Sequence, residues 1–361
     1  QGVARDSHSP RRWDDEQGVK WRGRLEGTGA SSPVISGERV FLPWTRRSTD
    51  GEHQIQLVCF DRSTGRQLWC RDVGPATGRT HRKNGHASAT VAAGGGRVFA
   101  CDAAGRLTCF DVDGHWSGKI AGEGVQHQWG IASSPVLFGD LVIQLCEGER
   151  RAFLAAYRQG SGQLVWRTER KSRGCWTTPV LLYHESSDAA RWEVVINGTG
   201  SSDGSPGWMI AYDPWTGSPL WRVRGTTDIP CPSAIVGDGL VISTTGGNGP
   251  ILAVRPGGRG DVTESHVVWQ RPLGGPYVPT GVVYQRRLYM ISDGGVLSCR
   301  DVSDGRPLWS KRLGGTYSAS LIAGAGLLYA VSEQGDVHVI AAGETFEPVA
   351  LNRFQAVSYT H

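Results

Sequence analysis

Asp61-Arg-Ser-Thr-Gly-Arg-Gln-Leu-Trp69 is the stretch on which the reading of this 361-residue chain turns, because the chain comes back to it. Asp213-Pro-Trp-Thr-Gly-Ser-Pro-Leu-Trp221 and Asp301-Val-Ser-Asp-Gly-Arg-Pro-Leu-Trp309 repeat it, and Arg158-Gln-Gly-Ser-Gly-Gln-Leu-Val-Trp166 repeats it with Arg leading. Every copy holds Gly four residues and Trp eight residues after the first position. A polar side chain and Gly make a tight turn between two strands, and the Trp then falls on a fixed face of the second strand. Two further copies are degenerate. Asp111-Val-Asp-Gly-His-Trp116 is shortened, and the copy ending at Trp269 carries the insertion Arg255-Pro-Gly-Gly-Arg-Gly-Asp261. Trp21 reads as the same final strand without its own turn. Six steps separate Trp21 from Trp309, a mean period of 48 residues.

Upstream of each turn lies the rest of a unit. Ser31-Ser-Pro-Val-Ile35, Ser133-Ser-Pro-Val-Leu137, Thr177-Thr-Pro-Val-Leu181 and Pro232-Ser-Ala-Ile-Val236 read as a short opening strand. A Gly or Asp turn follows, then an apolar strand such as Arg39-Val-Phe-Leu42, Leu141-Val-Ile143 or Leu240-Val-Ile242. Four short strands in about 48 residues, with no long helical periodicity, make the blade of a β-propeller. The expected fold is all-β: an eight-bladed-type propeller of four-stranded antiparallel blades, forming one domain over residues 1–361. Seven complete blades start near residues 31, 86, 132, 177, 233, 280 and 319. A truncated eighth, with its remnant at 355–361, is completed by an N-terminal closing strand at 13–25, which removes exposed edges. The recurring Trp69, Trp166, Trp221, Trp269 and Trp309 are expected in the packing between blades.

The repeated Asp-x-x-Thr-Gly-x-x-Leu-Trp pattern, over about residues 13–352, resembles the PQQ-like repeat. That repeat is shared by quinoprotein dehydrogenases and the outer-membrane assembly lipoprotein. His127-Gln-Trp-Gly130, Gly260-Asp-Val-Thr263 and Gly274-Gly-Pro-Tyr-Val-Pro279 resemble the exported bacterial proteins described as PQQ-binding-like β-propeller repeats. The resemblance implies a propeller and an exported, periplasmic setting. It does not by itself imply catalysis, since non-catalytic relatives share the repeat. Quinone-binding members carry two adjacent cysteines stacked on the cofactor and a Glu/Asn/Asp calcium site. No two of the 8 cysteines here are adjacent, so no cofactor is expected, and PQQ with calcium is the alternative.

In a propeller the connections into the innermost strands converge on one face, and binding residues concentrate on loops held by a rigid scaffold. Arg79-Thr-His-Arg-Lys-Asn-Gly-His86 is the most basic run in the chain. Its Arg79, His81, Arg82, Lys83, Asn84 and His86 are ligand-face candidates, with His127, Trp129, Trp176, Tyr277 and Tyr317 as aromatic walls. Arg offers bidentate contacts to carboxylate or phosphate, and aromatic rings stack on flat or sugar surfaces. The competing reading makes these charges a solvated rim and the aromatics channel filling. The expected function is a non-catalytic scaffold presenting a basic, aromatic loop face to a protein or an anionic or carbohydrate ligand. The alternative is a quinoprotein-like oxidoreductase, or another enzyme, working at the channel mouth.

Other signals count against competing classes. Lys+Arg 38 against Asp+Glu 34 gives a net charge of +4, too small and dispersed to argue for nucleic acid. No run approaches the eighteen apolar residues of a membrane helix, and a monomer is expected. The chain opens at Gln1 without a methionine, which leaves room for a removed signal peptide, but none is visible in the sequence. Cys59, Cys109 and Cys299 occupy one slot of the repeat, so they fall in different blades and are expected as buried thiols. Asp111-Val-Asp113-Gly114 has a calcium-loop spacing without the downstream carboxylates, and reads as a hairpin turn. His81 and His86 sit five apart on a loop, which permits a metal without arguing for one.

Overall fold

The computed structural model describes the chain except residues 1, 5–7, 15, 48–50, 82, 121–123, 173, 186–189, 199–206, 228–229 and 354–361. The described residues form seven sheets and one four-residue helix, Thr263–His266. Contacts divide them into two compact units: residues 20–181 with 212–218, and residues 1–19 with 182–211 and 219–359.

The first unit holds three sheets, spanning residues 27–75, 92–120 and 136–169, the first of them with the extra short strand Gly27–Thr28 beside Arg39–Arg47. The second holds sheets spanning 235–271, 282–312 and 322–353, and most of a fourth sheet in chain order, 180–226. Each sheet is an up-and-down meander opened by a short strand, such as Val34–Ser36, Val136–Phe138 or Ile322–Gly324. Alternation along the strands sends one set of side chains into the contact between neighbouring sheets. Phe41, Ile55, Leu57, Cys59 and Trp69 thus share a core with Val98 and Phe110 of the next sheet.

The opening strands begin a few residues after the Ser/Thr-Pro segments because those hydroxyls have another task. In the first unit Ser32 N–H donates to Thr90 Oγ1 (3.0 Å), Thr90 N–H to Ser134 Oγ (2.9 Å) and Ser134 N–H to Thr178 Oγ1 (3.2 Å). In the second unit Ser233 N–H donates to Thr280 Oγ1 and Thr280 N–H to Ser320 Oγ, both at 3.1 Å. A hydroxyl from one sheet thus satisfies a backbone donor of the sheet before it, which the ladder leaves unpaired.

The repeated Trp works the same way at the other end of each strand. Trp69 Nε1–H donates to Val112 O (3.0 Å), Trp166 to Pro214 O (3.0 Å), Trp269 to Val302 O (2.9 Å) and Trp309 to Gly343 O (3.1 Å). Each acceptor lies in the turn that follows. Inside that turn Asp61 Oδ1 accepts from the N–H and hydroxyl of both Ser63 and Thr64. The turn glycine is required: a Cβ on Gly114, at φ +83°, would stand 2.6 Å from the Trp69 ring. Trp69, Trp166, Trp221 and Trp269 are buried and Trp309 is half-buried. Trp221 donates instead to the Glu193 carboxylate (2.8 Å), and the inserted segment runs parallel beside it, pairing Gly260 with Trp221. Trp116 departs further. The shortened turn pairs it with Phe110 and leaves Gly118 opposite Cys109, the slot that Trp69 fills opposite Cys59, so Trp116 is exposed. All eight cysteines are free thiols.

The stretch 13–25 is not a single closing strand. Gly18 turns the chain at φ +80°, and the two tryptophans flanking it go to different places. Trp13 stacks on Tyr329 (6.4 Å between centroids) with its backbone N–H on Asn352 Oδ1 (2.9 Å), while Val3 bridges Ala323 in parallel, all within the second unit. Trp21 docks in the first unit, donating to Arg62 O at 2.8 Å. The expected remnant of an eighth blade, 355–361, lies outside the described residues.

Candidate functional site

Two equivalent loops of consecutive repeats build the centre of the site. In His81–Asn84 the Asn84 N–H closes a turn on His81 O (2.8 Å), and Lys83 N–H donates to His81 Nδ1 (3.2 Å). In His127–Gly130 the Gly130 N–H closes on His127 O (3.0 Å), and Trp129 N–H donates to His127 Nδ1 (3.2 Å). Each histidine thus accepts a backbone N–H at Nδ1 and caps its own turn. The loops are then tied together: His81 N–H (3.2 Å) and Asn84 Nδ2–H (2.8 Å) both donate to Trp129 O.

A third loop closes the cluster. Trp176 Nε1–H donates to Gly130 O (2.9 Å), setting its ring edge-on to His127 at 4.9 Å and at 5.7 Å from Trp129. Trp129 also meets His127 at 5.5 Å and the edge of His81 at 6.5 Å. Gly174 permits this approach, since a Cβ there, at φ +106°, would lie 2.6 Å from His127 Nε2. His127 is buried, whereas Trp129 keeps 36% of its surface exposed. The result is a wall of four rings whose polar atoms mostly turn inward to backbone, leaving an indole open to solvent. Exposed rings of this kind are able to stack on flat or sugar faces, and among the described residues of the wall no nucleophile is paired with a base.

Of the sequence candidates, His81, Asn84, His127, Trp129 and Trp176 meet one another in the first unit. Arg79 is exposed beside them, Lys83 sits in the first turn, and His86 Nε2–H donates to Gly78 O at 2.9 Å. Arg82 lies outside the described residues. The tyrosines belong to the second unit. Tyr277 is half-buried with its N–H on Asp293 Oδ2 (2.9 Å), and burial pushes its phenol up. Tyr317 is not a wall residue: it is wholly buried in the apolar core with Val282, Tyr289 and Leu297. Its spacing matched the other loop aromatics, but here the ring points back between sheets. Among the described residues no three His, Cys, Asp or Glu groups form a metal-binding cluster. Sequence reasoning passed over Glu147, Arg170 and Ser172, which lie behind the face. They sit in unremarkable strand-end positions 23 and 25 residues apart from Glu147, and no local pattern marks them.

The family model described as outer membrane protein assembly factor BamB matches residues 12–195, 53–278 and 205–345. The chain belongs to this family. Its PQQ-like β-propeller fold is shared with BamB from Moraxella catarrhalis, at 15% identity and TM-score 0.58, over 87% of this chain and 83% of that one. Quinohemoprotein alcohol dehydrogenase ADHIIG from Pseudomonas putida matches at 12% identity and TM-score 0.62, over 92% and 67%. The computationally designed Ika8 protein matches at 15% and 0.59, over 91% and 87%. No curated protein matches the sequence. At these identities the likeness carries the propeller and not an activity. Among the described residues no helix is long and apolar enough to cross a membrane.

Proposed function

We propose that this PQQ-like propeller is an exported, non-catalytic scaffold whose 79–86, 127–130 and 174–176 loops present a face to a protein or an anionic carbohydrate. The observation that carries this reading is the Trp129–Trp176–His127–His81 ring wall with exposed Arg79 at its margin. Stacked rings supply affinity to a sugar or apolar face at little entropic cost, and the guanidinium adds a charge-assisted contact to carboxylate or sulfate. Membership in a family described as an outer membrane protein assembly factor supports an exported role based on contacts with other molecules.

The quinone reading meets residues that do not fit the group. All eight cysteines are isolated in the sequence, so no vicinal pair can stack on a quinone, and each is a free thiol. Cys175, the cysteine within the ring-wall loops, is buried beside Thr177 at 3.3 Å.

Calorimetric titration with heparin and polygalacturonate, with dextran as the neutral control, tests the carbohydrate arm. A photo-crosslinking residue at position 129 tests the protein arm. Saturable binding that Trp129→Ala weakens about tenfold, the loss of one stacked ring, supports the face. Binding indifferent to Trp129→Ala and Trp176→Ala, with no specific cross-link, overturns it.

A further inference from the structure

A buried ion pair is joined by hydrogen bonds to the loop that carries Trp176. Glu147, at the end of strand Leu141–Glu147, has a side chain 1% exposed, and Arg170, just past strand Leu164–Glu169, has one 4% exposed. Arg170 Nε–H donates to Glu147 Oε1 at 2.6 Å, and its Nη1–H donates to the Tyr212 hydroxyl. Burying both charges is expensive, and a hydrophobic pair of similar volume at such a place is often neutral or stabilising. Stability alone is thus a weak reason for placing two charges here.

The second carboxylate oxygen gives the pair a purpose. Ser172 Oγ–H donates to Glu147 Oε2, and the same Ser172 Oγ accepts from Gly174 N–H at 3.3 Å. Gly174 is the residue pressed against His127, and two residues on Trp176 reaches Gly130 O and both rings. The chain of contacts runs from Arg170 through Glu147 and Ser172 to the backbone that carries the wall. Every link lies in the first unit. We infer that Glu147, held by Arg170, acts through Ser172 as the positioning residue of the 172–176 loop, fixing Trp176 against His127 and Trp129 for ligand binding. This rests on the binding face proposed above, but its geometry is testable without a ligand.

The experiment is amide hydrogen exchange on the full chain, comparing wild type with Ser172→Ala, Ser172→Thr and Glu147→Gln. Ser172→Ala removes the link while leaving the ion pair in place. Exchange should accelerate about tenfold at Gly174, Trp176, Trp129 and Gly130, with the amides of Leu141–Glu147 unchanged. Ser172→Thr, which keeps the hydroxyl, should restore wild-type exchange. Glu147→Gln keeps the shape and should loosen the same loops even if overall stability falls. Acceleration spread evenly through the sheets in both variants, or none in the loops, overturns the inference. If the loops loosen but wild type binds neither heparin nor polygalacturonate nor a cross-linked partner, the positioning role stands and the proposed function falls.

Discussion

Removing one docked indole tests the central physical argument, and Trp69→Ala is the sharpest choice. Trp69 is 6% exposed, tilted against Phe41 at 5.8 Å and Phe110 at 6.2 Å, with its N–H on Val112 O at 3.0 Å. Burying about 200 Å² of indole is worth about 5 kcal/mol at about 25 cal/mol per Å². Measured truncations of buried Trp run to about 3–5 kcal/mol, and the stranded carbonyl of Val112 adds about 1 kcal/mol. For a cooperative unit of this length the unfolding entropy is about 0.8 kcal/mol/K, so a total loss of about 4–6 kcal/mol should lower the melting temperature by about 5–8 °C. Trp116→Ala is the matched control. It removes the same side chain from a site 64% exposed and should shift the midpoint by about 1 °C or less. Calorimetry with urea denaturation measures both. Equal losses for the two variants, or a Trp69→Ala loss under about 1 kcal/mol, would refute the claim that docking the indole on the next turn holds the sheets together.

Three further outcomes follow from the same structure. Asp61 is held down to about 2 by the Ser63 hydroxyl first and then by the Thr64 hydroxyl and N–H. That lies below the unfolded value of about 3.9, so its contribution is full above about pH 4 and is lost as pH falls toward 2. Asp61→Asn should flatten the acid limb of a denaturation series over that window, and a limb parallel to wild type would contradict the assignment. Ser134→Ala strips the acceptor from Thr90 N–H and should cost about 1 kcal/mol in urea denaturation, whereas Ser134→Thr should be near neutral. Burial pushes the Cys146 and Cys231 thiols up to about 12 and raises Cys101 well above the ordinary range. Alkylation of the buried Cys101 and Cys146 in the native protein at pH 8 should be far slower than in urea, and equal rates would show their burial to be wrong.

How far the sequence reached differs from element to element. The turn-to-Trp hairpins, the meander of four strands and the apolar second strands were legible because they are local: side-chain alternation and turn chemistry act within ten residues, and repetition amplifies the signal. The shared cysteine slot was legible for the same reason, since Cys59 and Cys299 stand opposite Trp69 and Trp309 in register. The ring wall was half legible. Spacing put His81, His127, Trp129 and Trp176 on loops entering inner strands, yet the same logic nominated Tyr317, which turned inward.

What the sequence by itself determined is the repeated sheet and therefore the family of propellers to which the chain belongs, because strand period and turn residues are properties of short segments. Only the tertiary structure decided which indole finds an acceptor. Trp116 and Trp69 are the same residue in nearly the same motif, and a shortened turn shifts one of them out of its slot. It also decided that Glu147 and Arg170 meet beneath the loop that carries Trp176, although 22 residues lie between them. Contacts of that kind depend on how strand ends stack through space, and hydrophobic pattern leaves no trace of them in the chain.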